Sequence, residues 1–118
     1  MAAQKQDEAE QWFSLHGTVD ELETPEDFLD HLAARAIYDK HDVSASEVLE
    51  AHKTAPQYFA NDGEGRRAPI AMVGPTRAGR MLCVPIGPTG RAGLWRCVSA
   101  YEANAHHIAR YKEGETNG

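Results

Sequence analysis

The chain has 118 residues, 42% of them hydrophobic and 25% charged, with a formal net charge of −6 and a pI near 5.4. This is the size and make-up of one globular domain, able to bury a core without a disulfide or metal staple. No apolar run approaches the roughly 18 residues of a membrane span, and net acidity argues against broad, non-specific nucleic-acid binding while leaving room for a local phosphate site.

Residues 1–23 are polar and acidic, relieved by Trp12, Phe13 and Leu15. They read as an acidic extension holding one short helix. The opening "MAAQKQDEAEQ" has no apolar stretch of the signal-peptide kind, so a cytoplasmic location is expected. "TPED" then offers Thr24 as an N-cap, Pro25 at the first helical position and acids in the first turn. Phe28, Leu29, Leu32, Ala33, Ala36 and Ile37 follow as one helical stripe, which predicts a helix over about 25–40. Ser44 and Glu47 stand in capping-box spacing, with Val43 and Val48 at the staple positions, and predict a second helix ending near Lys53. "NDGEGRR" at 61–67 is a loop.

From Ala68 the period changes. "APIAMV", "RMLCVPI" and "LWRCVS" are short apolar runs separated by "GPTRAG" and "GPTGRAG", the pattern of an antiparallel meander, with a further short strand near 57–60. Ser99 and Glu102 repeat the capping-box spacing and predict a closing helix to about Lys112, followed by a disordered tail over 113–118. The expected fold is α+β: two amino-terminal helices packed on a three- to four-stranded antiparallel sheet, then a carboxy-terminal helix. Residues 24–112 form the single domain.

Charge is divided unevenly. Residues 1–60 carry thirteen acids against four Lys and Arg, whereas 61–118 carry five against eight, so the second half could receive an anion. A symmetric closure of the last loop pairs Cys83 with Cys97 and Val84 with Arg96. Arg80, Leu82, Val84 and Arg96 then share one sheet face, and Met81, Cys83, Trp95 and Cys97 the other. Such a register sets two guanidinium groups roughly 13 Å apart on the less covered face. Pro85 qualifies it, since proline inside a middle strand marks a bulge or an end, and a bulge there could move Arg96 to the other side. The two cysteines lack ligand or CxxC spacing and read as free, buried thiols.

Three blocks, "KHDVSASEV", "VGPTRAGRMLCV" and "RCVSAYEA", fall in the order and spacing of a known group. Over about 27–112 the chain resembles the BrnT-like branch of the RelE/ParE toxin superfamily. The resemblance implies a RelE-like fold, ribonuclease activity of a bacterial or phage toxin–antitoxin system, and inhibition by a cognate antitoxin protein. The matching residues are Lys40, His41, Arg80, Arg96 and Tyr111. The chain departs from the pattern at Asp42, Pro75, Tyr101 and His107, where glycine, arginine, arginine and glutamate are usual.

Metal-independent RNA cleavage needs a base for the 2′-OH, cationic donors for the phosphorane, and an acid for the leaving oxygen. Arg80 and Arg96 suit the phosphate because the guanidinium binds it bidentately and stays charged. His107 and Tyr111, one turn apart, could supply base and acid. Lys40, His41, Arg77 and Tyr101 are candidate RNA contacts, Tyr101 as a stacking platform. Each has a plainer role open to it: covering the sheet, capping a turn, offsetting a helix dipole or packing under the last helix. No cofactor or metal site is expected from the six histidines. The expected function is a toxin-like ribonuclease acting on RNA, possible as a homodimer and without a membrane partner. The alternative is a catalytically degraded toxin fold that holds a protein partner. In a third possibility the acidic extension lies over the basic sheet and blocks it.

Overall fold

The computed structural model describes residues 2–38, 43–61 and 67–117, and side chains over 8–34, 43–61 and 67–114. Its elements are α1 (Ala2–His16), β1 (Glu21–Glu23), α2 (Glu26–Tyr38), α3 (Ala45–Lys53), β2 (Gln57–Ala60), β3 (Ile70–Pro75), β4 (Met81–Pro88), β5 (Leu94–Cys97), β6 (Tyr101–Glu102) and α4 (Ala105–Asn117). The sheet runs β1-β5-β4-β3-β2, with β6 also paired to β4. It is α+β as expected, but among the described residues the sheet has six strands and is mixed, because β1 joins β5 in parallel.

The two predicted helices form where their signals lie. Ser44 Oγ accepts from the Glu47 N–H at 3.1 Å while Glu47 Oε1 accepts from the Ser44 N–H at 3.1 Å, so the capping box is complete. Val43 and Val48, the staple pair, are both buried. Phe28 and Leu32 carry α2 into the core. Gly74 lets α3 approach the sheet closely: a Cβ there would lie 3.1 Å from the Ala51 carbonyl oxygen and from Pro56.

The core has two parts, one on each side of the sheet. Ile70, Met72, Leu82, Val84, Ile86, Trp95 and Cys97 face α1, α2 and α3 on the first side. Ala71, Val73, Cys83, Ala103 and Tyr111 form a smaller cluster on the second, under α4. Helices therefore cover both faces.

The amino-terminal segment is built into the first cluster. Ala9 is buried there, Phe13 meets the Tyr58 and Trp95 rings edge-on at 5.6 Å each, and Trp95 Nε1 donates to the Gly17 carbonyl at 3.1 Å. His52 Nε2 bonds the Val19 carbonyl at 2.8 Å. Here α1 packs against the first side, whereas Glu21 and Glu23, at the end of the same acidic segment, pair with Leu94 and Arg96 on the second.

The register of β5 also differs from the symmetric one. Cys97 pairs with Ile86, Arg96 with Gly87 and Trp95 with Pro88, three residues from the expected match. An odd displacement exchanges the faces, so Trp95 and Cys97 join Leu82 and Val84, and Arg96 turns to the second side with Cys83. The cause lies in the β4–β5 loop, which folds on itself instead of closing symmetrically. Thr89 Oγ1 donates to the Leu94 carbonyl at 2.8 Å, and Gly93, at φ 85°, donates to His16 and accepts from Asp20 and Glu21. The amino-terminal segment thus holds this loop, a long-range tie invisible to a local pattern.

A bulge follows at Pro85. Between the pairs Ile86–Cys97 and Cys83–Tyr101, β4 has two residues and the opposite strand has three. The Pro85 carbonyl accepts from Val98 N–H at 2.9 Å. Beyond the bulge Tyr101 and Glu102 return to the ladder and the Ala103 N–H reaches the Met81 carbonyl. These bonds take the residues that the Ser99–Glu102 spacing assigned to a helix start. The last helix begins at Ala105 and continues to Asn117, past the predicted end at Lys112 and through most of the tail expected to be disordered. The cysteines lie on opposite faces, Cys83 beside Tyr101 and Cys97 beside Ile86; both are buried and neither is in a disulfide. Burial pushes the Cys97 thiol up to about 12.

Trp95 is the largest fully buried side chain and links the sheet to α1. Trp95→Ala should cost about 3–5 kcal/mol in urea denaturation. It should also make 1–23 the first region cut in limited proteolysis.

Candidate functional site

The second face is a grid of paired positions. Gln57, Val73, Cys83 and Tyr101 lie across it in one row, and Phe59, Ala71 and Pro85 in the next. One row further, Gly87 pairs with Arg96, which pairs in turn with Glu23 of β1. Over the β2–β3 side of this grid lies α4, leaving a cavity of about 140 Å³ lined by Phe59, Ala60, Asn61, Ala71, His106, His107 and Arg110.

The cavity sets the Arg110 guanidinium and two imidazoles beside an aromatic ring, and among the described residues no carboxylate lines it. The Arg110 guanidinium carbon sits 4.7 Å from the Phe59 ring centre, a cation–π contact. The His106 and His107 rings are 6.2 Å apart, as are those of Tyr101 and His107. His107 also starts the helix. Its N–H donates to Asn104 Oδ1 at 2.9 Å, while the Asn104 N–H donates to His107 Nδ1 at 3.3 Å. This is a reciprocal cap with histidine in the usual place of glutamate. Nδ1 must then be the unprotonated nitrogen, and Nε2 lies 3.8 Å from the Cys83 sulfur. Burial lowers the His107 pKa, helped by the positive surroundings of His106 and Arg110.

Arg80 is elsewhere. It lies just before β4, on the α3 side, with NH1 3.2 Å from Glu47 Oε2 and NH2 3.6 Å from Glu102 Oε2. Its own N–H donates to Thr76 Oγ1 at 3.1 Å and so closes the turn. Burial raises the Glu47 pKa, but the Ser44 N–H and the Arg80 guanidinium outweigh it and hold the carboxyl below its usual range.

The expected arginine pair is therefore split between two faces. Arg96 shares the second face with His107's neighbour Cys83, but four residues along the strand, or roughly 13 Å. Tyr111 is 5% exposed and its hydroxyl donates to the Ala55 carbonyl at 3.0 Å, where it acts as a strut between α4 and the α3–β2 link. Tyr101 packs in the second cluster beside His107. Arg77 is exposed in the β3–β4 turn, its N–H bonded to Glu50 Oε1 at 3.2 Å. Lys40 and His41 lie outside the described residues. Sequence reasoning missed Phe59 and Arg110, which meet only because α4 crosses β2 and β3. A helical arginine three residues after a histidine was the one available signal.

Two outcomes follow from the charges. In an NMR titration the His107 imidazole should take up its proton below the ordinary histidine range, and Arg110→Gln should move that midpoint upward; an unmoved midpoint would contradict the contact. Glu47, ionised more readily when folded, adds stability above the ordinary carboxylate range that is lost as pH falls through its folded value. Glu47→Gln should cost about 1 kcal/mol at about pH 7, and the difference from wild type should shrink toward about pH 3 in urea denaturation.

Compared with protein-family models and with curated proteins, the sequence matches none.

Proposed function

We propose that the chain is a binding module on a toxin-like fold, holding a protein partner of the antitoxin kind that the resemblance implies. The observation that carries this reading is the placement of Arg80. Its guanidinium is engaged by Glu47 and Glu102, and Arg96 projects from the opposite face. Two carboxylates compete directly with a phosphate for Arg80, and a single backbone cannot bridge both arginines through the sheet. Leu15, Leu29 and Leu49 stand exposed on α1, α2 and α3. Among the described residues no helix is long and apolar enough to cross a membrane.

A second reading, RNA cleavage, is favoured by the cavity under α4. His107, once its Nδ1 releases the Asn104 N–H, could serve as a base, Arg110 as a hydrogen-bond donor to phosphate, and Phe59 with Tyr101 as stacking surfaces. It relocates the reaction from the arginine pair to α4.

Purified protein and induced cells separate the two. Under the first reading wild type leaves RNA intact, growth continues, and one partner copurifies in fixed stoichiometry. RNA cleavage that is lost in Arg80→Ala would overturn it. Cleavage that survives in Arg80→Ala but falls by about a hundredfold in His107→Gln would select the α4 site.

A further inference from the structure

A second and larger cavity, about 350 Å³, opens between α2, the β5–β6 link and the segment before β3; it is lined by Asp27, His31, Arg67, Val98 and Ser99. Along its solvent-exposed wall His31 Nε2 lies 3.1 Å from Ser99 Oγ. These residues are 68 positions apart, so the fold alone brings them together. His31 is carried by α2 between the buried Phe28 and Leu32. Ser99 sits in the bulge opposite Pro85, where the extra residue takes it out of the ladder. Arg67 reaches Asp27 at 3.4 Å, both side chains 69% exposed, a pair readily exchanged for another anion.

We propose that Ser99 and His31 form a nucleophile–base pair that takes the acyl group of a small carboxylic ester, with Arg67 favouring acyl chains that end in a carboxylate. The tautomer with its proton on Nδ1 leaves Nε2 to accept from the Ser99 hydroxyl. Ser99 Oγ attacks the ester carbonyl, the new C–O bond forms, and the hydroxyl proton passes to His31 Nε2. The tetrahedral adduct collapses with cleavage of the bond to the alkoxy group, which leaves as the alcohol with that proton. Water then attacks the acyl-serine, giving one proton to His31 and releasing the carboxylic acid, and His31 returns the proton to Ser99. Atoms and charge balance without a further reactant.

The test uses the full chain with p-nitrophenyl acetate and with the p-nitrophenyl monoester of glutaric acid, read by nitrophenolate release, intact mass and peptide mapping. Wild type should carry the acyl group on Ser99, with faster labelling by the monoester. Ser99→Ala should lose the label. His31→Gln, which keeps a hydrogen-bonding partner for Ser99, should label about a hundredfold more slowly. Arg67→Gln should remove only the preference for the monoester. Circular dichroism checks each variant, and should Ser99→Ala fail to fold, peptide mapping of wild type and the His31→Gln rate decide. Acyl groups found only on lysines or the amino terminus, no acylation, or labelling of Ser99 at an unchanged rate in His31→Gln would each overturn the proposal.

Discussion

Pro85 lies mid-strand in β4 with no N–H to donate, and its carbonyl receives the Val98 N–H across the gap. One extra residue on the opposite strand accommodates it. The consequences spread in both directions. Arg96 and Tyr101, an odd number of residues apart, would alternate to opposite faces in a regular ladder, and the bulge places both on the second one. The same extra residue displaces Ser99 out of the sheet and toward α2. Beyond it the chain regains β4 for only two residues before Asn104 caps the last helix.

Much of the framework was legible because its signals are local. The Ser44–Glu47 box, the Phe28–Leu32 stripe and the alternating runs around Ile70 and Leu82 each involve residues a few positions apart. The register of β5 was not, because it is set by bonds from Gly93 to His16, Asp20 and Glu21, a contact between distant segments. The spacing of Ser99 and Glu102 resembled a helix start for a similar reason. Its local promise lost to ladder bonds with β4, which offer backbone groups a partner that sequence spacing does not reveal. The closing helix instead begins at Asn104, whose partner His107 is an uncommon substitute for glutamate in a capping box.

The site divides along the same line. His107 was readable as a helical residue near Tyr111, whereas its roles as cap, neighbour of Cys83 and wall of a cationic cavity depend on how α4 crosses the sheet. Arg80 and Arg96 were readable as cations near strands; which side each one faces was decided by the loop between them. Arg80, placed among carboxylates, behaves as a brace between α3 and β6. Within the blocks "KHDVSASEV" and "VGPTRAGRMLCV" several residues do ordinary structural work: Ser44 caps, Val48 packs, and Leu82 fills the core.

The parallel pairing of β1 with β5 has a colloidal consequence. Without it, β5 would present an unsatisfied strand border next to the indole of Trp95, a template on which a second molecule could add. The short β1 segment, acidic at both ends, seals that border with Glu21 and Glu23. Severing the chain between Gly17 and Thr24 would therefore endanger solubility before it touched any chemistry, since the segment that guards the seam is held to the body by a handful of backbone bonds.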